Sequence, residues 1–285
     1  MSAPAYGTND GGAAAGVCYR HPGRQSYVLC QRCGRTICPE CQTAAAVGFH
    51  CPECVAEARA SAPRVKPRLV SRARTMSRDG SPIVTYSLIG VTVVVFLLQL
   101  LLGGILEQYL IYRPALTARQ PWTMLTSLLA HQSYLHIGFN MLSLFIFGRI
   151  LEPMIGKGRF LALYLISGFG GSVAVLLLAP QGGVLGASGA IYGLFGAFFI
   201  IQRKLGGNSG QLILLIVLNL AIGFLPGMNI SWQAHVGGLV AGALVSLVLV
   251  NTRTRKQRPL QVGALIALVV VLIVVTVLGY IASFT

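Results

Sequence analysis

Two regimes of hydrophobic and polar positions follow one another along the chain. Up to about residue 82 the pattern is broken and polar; beyond it, long apolar runs alternate with short polar breaks. Runs at about 83–103, 132–151, 159–179, 188–202, 211–225, 232–251 and 262–283 predict seven membrane helices. Two of them are short for a hydrocarbon core of ~30 Å, which takes ~20 residues to cross. The fourth is short for a visible reason. Counted back from Arg203, a full span would begin near residue 183, where Pro180, Gly182, Gly183 and Gly186 oppose helix. A helix starting at Ser188 has about 15 residues, so its head lies roughly 7 Å below the nearer membrane surface. Irregular backbone at that depth is tolerated only where protein buries it or it lines a water-filled cavity. Ser188 is therefore expected at the floor of a wet recess.

The polar breaks add an orientation. Lys157 and Arg159, Arg203 and Lys204, and Arg253, Arg255, Lys256 and Arg258 fall on the same side as the basic stretch before residue 83; Arg113 and Arg119 fall on the other. The positive-inside rule then predicts an N-terminus inside and a C-terminus outside. Runs two, four and six descend from the outer face, and their first turns carry His136 with Asn140, Ser188, and His235. Counting back from the basic boundaries places His136, Ser188 and His235 about 20–27 Å above the inner face, with Asn140 one turn deeper. Four polar side chains from three helices share one band.

Composition agrees with this picture. Of 285 residues, 54% are hydrophobic and 10% charged, with a formal net charge of +15. That is too apolar for a soluble domain of this length and reads as a polytopic membrane protein. Eleven of the 22 Lys and Arg residues precede residue 80, so orientation and attraction to anionic lipid explain the charge more economically than nucleic acid does. Residues 1–16 are Ala/Gly-rich, with no basic start or apolar core of a signal peptide, and are expected to be a disordered tail on the synthesis side. Residues 57–82, rich in Arg and Pro, read as a basic linker.

The chemistry centres on Leu185 to Gly193, which taken alone reads as helix packing through Gly189 and Gly193. A serine hydroxyl becomes a nucleophile when a base takes its proton, and His235 is the candidate base. Gly237, Gly238 and Gly242 would let the sixth helix lie against the glycine face of the fourth. After Asp79 the only acids are Glu107 and Glu152, and Glu152 lies too deep to orient His235, so a Ser–His pair without a third carboxylate is expected. Free N–H groups at the start of the fourth helix, with His136 and Asn140 at i and i+4, supply candidate oxyanion donors. His131 lies off that face and is read as structural. A catalytically inactive client-binding adaptor and a proton-coupled transporter using His136 and His235 are the alternatives; the transporter reading lacks carboxylates in the outer half.

Gly186-Ala187-Ser188-Gly189 followed by Tyr192, His131-x4-His136-x3-Asn140-Met141, Gly148-x3-Glu152, and Ala234-His235-x-Gly237-Gly238-x3-Gly242 together resemble the rhomboid intramembrane serine proteases over residues 83–251. The resemblance implies an all-α polytopic membrane protein with a six-helix core, here followed by a basic loop and a seventh helix over 252–285. It implies Ser188 as nucleophile, His235 as general base and His136 with Asn140 as oxyanion donors. Tyr192 would pack on the His235 ring, and Gly186, Gly189 and Gly238 would be supporting positions. The expected reaction is hydrolysis of a peptide bond in or near a transmembrane segment of a protein substrate, with no metal in the active site, in a multi-pass bacterial plasma membrane protein. Where many rhomboids carry Trp-Arg before the first histidine, this chain has Trp122-Thr123.

All seven cysteines lie between Cys18 and Cys54. Cys18-x2-His21, Cys30-x2-Cys33, Cys38-x2-Cys41 and Cys51-x2-Cys54 make four ligand pairs in a module at 17–56, suited to two tetrahedral structural zinc ions. His50 is a possible substitute ligand. The pattern resembles a B-box-type cross-braced zinc finger, which implies that pairs one and three share one ion and pairs two and four the other. The module is expected to bind a cytosolic protein partner; Arg20, Arg24, Arg32 and Arg35 could meet nucleic acid, but a solvated face is the expected reading.

Overall fold

The computed structural model describes residues 16–45, 47–61, 80–222 and 230–285. Apart from Gly16, the tail expected at 1–16 lies outside the described residues. So do most of the basic linker and the end of the fifth apolar run. The chain divides into two compact units, Met1–Ser71 and Arg72–Thr285.

In the first unit, β1 (Thr43–Ala44) pairs antiparallel with β2 (Phe49–His50), and α1 (Pro52–Ser61) follows. Helix continues past residue 56, where the linker was expected to begin. The buried cluster consists of six cysteines and one aliphatic side chain, Ile37; the seventh cysteine, Cys33, is exposed.

The second unit holds the apolar helices. These are α2 (Ile83–Leu102), a loop with short helices α3 (Ile105–Leu110) and α4 (Thr123–Thr126), then α5 (Tyr134–Ile155) and α6 (Lys157–Leu178). There follow α7 (Ser188–Lys204), α8 (Gly210–Ile222), α9 (Trp232–Asn251) and α10 (Arg258–Phe284). Five of them, α2, α5, α6, α9 and α10, are long and apolar enough to cross a membrane. The 17-residue α7 begins at Ser188, as its glycine-rich approach requires. With α8 they make the six-helix core and the seventh helix expected from the sequence.

Burial orders these helices from centre to rim. Of the most apolar stretch of each, 61% is buried in α6 and 44% in α9, against 22% in α2 and 11% in α10, so the first and last present most of their surface outward. Helices α6, α7 and α9 pack mutually through small residues. A Cβ on Gly238 would collide with the carbonyl oxygen of Gly189, and one on Gly242 with that of Gly193. Gly237 departs from the expected pattern: it faces Gly170 and Ala174 on α6, not α7. Helix α9 is thus wedged between two glycine-bearing faces. Such stripes let backbones approach closely where lipid offers no hydrophobic driving force.

Candidate active site

Serine caps set the start of both histidine-bearing helices. Ser133 accepts the N–H of His136 at 3.2 Å at the head of α5, and Ser231 accepts the N–H of Ala234 at 3.3 Å at the head of α9. Each satisfies an otherwise orphan first-turn donor and fixes the turn that carries the histidine.

The approach to α7 is pinned from three places. Tyr112 and Val184 exchange backbone hydrogen bonds of 3.0 and 2.9 Å, and Gly186 N–H donates to the Ser127 carbonyl at 2.9 Å. The Ala187 N–H donates to His131 Nε2 at 3.4 Å. His131 is itself held at the backbone by Gln99 of α2, through its N–H at 3.1 Å and its carbonyl at 3.4 Å. Sequence reasoning set His131 aside as structural; it orders the residue preceding Ser188. The readable signal was Gln99, an amide inside an otherwise apolar run.

Ser188 Oγ lies 3.0 Å from His235 Nε2. The imidazole is stacked on the Tyr192 ring, with centroids 4.0 Å apart and 9° between planes. His235 is buried and Ser188 half-buried, so the hydroxyl is the more accessible of the pair. Among the described residues, His235 Nδ1 has no hydrogen-bond partner. The stack on Tyr192 holds the plane of the imidazole.

His136 converges on the same place. Its ring lies against Gly186, where a Cβ would come within 2.7 Å of the imidazole. Gly186 also has φ +114°, a conformation that L side chains rarely adopt. Asn140 Nδ2 donates to the carbonyl of His136 at 2.8 Å, one turn back on its own helix, which leaves its second N–H available.

Glu152 stands apart from these groups. Its carboxylate accepts from Val84 N–H at 2.9 Å, Thr85 N–H at 2.8 Å and Thr85 Oγ1 at 2.7 Å, capping the start of α2. An acid at a helix N-terminus meets both unpaired donors and the positive end of the dipole.

A Rhomboid domain model matches residues 118–252, which include Ser188, His235, His136, Asn140 and Tyr192. The chain is 36% identical over 141 residues to the putative rhomboid protease YdcA of Bacillus subtilis, covering 70% of that protein and 47% of this chain. The chain belongs to the rhomboid family. It is also 34% identical over 209 residues to the rhomboid protease GluP of B. subtilis, spanning 68% of this chain but 40% of GluP. RHOMBOID-like protein 5 of Arabidopsis thaliana is 41% identical over 138 residues, 45% of this chain and 44% of the relative. The chain thus spans less than half the length of two of these three rhomboid relatives. With its apolar helices, this rhomboid is a multi-pass membrane protein.

In the first unit, two four-residue clusters could each hold a metal ion. Cys18, His21, Cys38 and Cys41 form one and Cys30, Cys33, Cys51 and Cys54 the other, with all ligand atoms of each within 4.8 Å of one another. This is the cross-braced pairing that the B-box resemblance implies, and His50 belongs to neither cluster. The spacing fits tetrahedral zinc. A Zn–S bond of about 2.3 Å puts neighbouring sulfurs about 3.8 Å apart, and an imidazole nitrogen about 3.5 Å from a sulfur. The Cys33 and Cys51 sulfurs are 3.7 Å apart, and His21 Nδ1 is 3.3, 3.5 and 3.8 Å from the sulfurs of Cys38, Cys41 and Cys18. Burial, then the neighbouring Cys18 and Cys38 sulfurs, push the Cys41 thiol up to about 11.

Three of the four arginines singled out in the sequence are paired with acids: Arg20 with Glu53 at 3.5 Å, Arg24 with Glu40 at 2.5 Å and Arg32 with Glu57 at 3.4 Å. Arg35 lies over the Tyr19 ring.

Proposed function

We propose that the chain is an intramembrane serine endopeptidase that hydrolyses peptide bonds in or near transmembrane segments of membrane proteins. The observation that carries this reading is the 3.0 Å contact between Ser188 Oγ and His235 Nε2 at the head of α7. His235 Nε2 takes the hydroxyl proton as Oγ attacks the scissile carbonyl, and the carbonyl oxygen becomes an oxyanion. The unpaired first-turn N–H groups of α7, the His136 ring and the free Asn140 N–H are the donors for that charge. His235 then returns the proton to the leaving amine, and water hydrolyses the acyl-enzyme by the same exchange. Tyr192 holds the imidazole plane through the stack, in place of an orienting carboxylate.

The wider reading follows from the same residues. Residues 83–251 are the catalytic core, 252–285 the added loop and helix, and 17–56 a module holding two structural zinc ions that serves a cytosolic protein partner. The basic residues between the helices support an N-terminus in the cytoplasm and a C-terminus outside, and the proposed setting is a bacterial plasma membrane. Proton-coupled transport finds less support, since the buried Glu152 carboxylate is committed to the cap of α2.

Ser188→Ala and His235→Ala are each expected to lower cleavage of a transmembrane reporter by on the order of 10³-fold or more while the protein still inserts. Cleavage persisting in the Ser188→Ala protein, purified from a host lacking other rhomboids, would sink the proposal.

A further inference from the structure

At the opposite end of α7 from Ser188, about 22 Å away along the helix, a groove of about 340 Å³ opens between the ends of α5, α7 and α9 and the start of α6. Its walls include Met154, Ile201, Leu205 and Leu249, and its polar side chains are Arg159 and Arg253. No acid lines it. Among the described residues, neither arginine has a carboxylate partner, and the three ion pairs all lie in the first unit. Arg159 is nevertheless held in place. Its Nε donates to Gln261 Oε1 at 2.7 Å, and the buried Gln261 donates to the carbonyl and hydroxyl oxygens of Thr252 at 2.9 Å. One guanidinium is therefore fixed between α6, α10 and the end of α9, with part of its N–H fork still unused.

The wall chemistry changes with depth. Leu205 and Met154 are strongly exposed at the rim, 63% and 49%, while Leu249 and Ile201 are buried within. Two unpaired cations beside an apolar trough match a ligand with a phosphate at one end and hydrocarbon at the other. A free phosphate would satisfy only the arginines. Basic pockets between membrane helices on the side with the positive charge are suited to anionic lipid head groups.

We propose that this groove is a binding site for one anionic phospholipid, its phosphodiester held by Arg159 and Arg253 and an acyl chain laid along Leu205, Ile201 and Leu249. The bound lipid joins α5, α6, α7 and α9 at the end remote from the serine, and through Gln261 it is linked to α10. The site is independent of the protease reading.

The test is native mass spectrometry of the whole protein in neutral detergent, titrated in parallel with phosphatidylglycerol, phosphatidylcholine and inorganic phosphate. The wild type is expected to retain one phosphatidylglycerol per chain in preference to phosphatidylcholine, and inorganic phosphate at equal concentration should not displace it. Arg253→Gln, which removes a charge but no hydrogen bond among the described residues, is expected to weaken retention at least about tenfold. Arg159→Gln should do the same, and if it fails to fold, Arg253→Gln still decides. Lys204→Gln, a neighbouring cation outside the groove, should change nothing. Equal loss in Lys204→Gln and Arg253→Gln would overturn the site in favour of diffuse attraction. Displacement by inorganic phosphate would reduce it to a simple anion site, and equal retention of phosphatidylcholine would remove the role of charge.

Discussion

In the proposed active site the Tyr192 ring takes the place of a carboxylate in orienting His235. The stacked rings restrict the imidazole's tilt, while the Tyr192 hydroxyl has no hydrogen-bond partner among the described residues. The ring rather than the hydroxyl is therefore the working part. Tyr192→Phe is expected to keep cleavage within about twofold, whereas Tyr192→Ala should lower kcat by roughly 10–100-fold, the scale of a misplaced catalytic group. Steady-state kinetics on a reporter check both, and a Phe variant as impaired as the Ala variant would restore a role to the hydroxyl. Glu152 is the corresponding case for stability. Its two oxygens serve three donors at the head of α2, so Glu152→Gln turns an amide against a backbone N–H. A loss of about 1–3 kcal/mol is expected, read as a lower unfolding midpoint in detergent; an unchanged midpoint would contradict the cap. Counted helix depth put Ser188 and His235 in one band, while the packing of Tyr192 on the His235 ring was implied only by the rhomboid resemblance. The partners of Glu152 and His131 could not, since they lie on elements 67 and 56 residues away. No local spacing encodes which helix end meets which side chain.

Among the elements, the spans were legible and the loops between them were not. Apolar runs and glycine breaks foretold α7 starting at Ser188, because a run of small and helix-breaking residues has a local cause. The short helices α3 and α4 left no comparable pattern; they are ordered by tertiary bonds such as Ser172 Oγ to the Met124 carbonyl at 2.7 Å. The same limit explains Gly237, whose neighbour on α6 could be known only once α9 was seen wedged between two helices. The packing of α7 on α9 sets the Ser188–His235 distance, and that makes it testable. In Gly238→Ala the new methyl meets backbone at Gly189, one residue from the nucleophile, and backbone cannot move aside as a flexible side chain can. Overpacking of this kind costs about 1–3 kcal/mol and separates the pair, so cleavage should fall by more than tenfold. Gly138→Ala, with nothing within 4 Å of its added carbon, should leave both stability and cleavage near wild type. Equal effects of the two substitutions on cleavage would detach the site from the glycine contact.

On the scale of the whole molecule, the two units are held together internally by different physics. The membrane unit buries a broad apolar core around Leu144, Leu163, Tyr164 and Leu194, and its proposed chemistry centres on Ser188 and His235. The first unit buries the cysteine cluster and Ile37, with Tyr19 packed at its edge. An interior of that kind cannot offset the entropy of ordering about 40 residues, so in the proposed zinc module metal binding and folding would be one event. Removing zinc should therefore unfold one unit and spare the other. With full-length protein in detergent, elemental analysis is expected to find two zinc ions per chain. After treatment with a strong chelator, trypsin should cut at Arg20, Arg24, Arg32 and Arg35, which the folded module protects through its salt bridges and turns. The apolar helices should stay uncut, and cleavage of a membrane reporter should continue at close to its starting rate. A module that resists trypsin once stripped of metal would show that its fold stands without the ion. A parallel collapse of reporter cleavage would mean that the zinc module supports catalysis, contrary to the separation proposed for the two units.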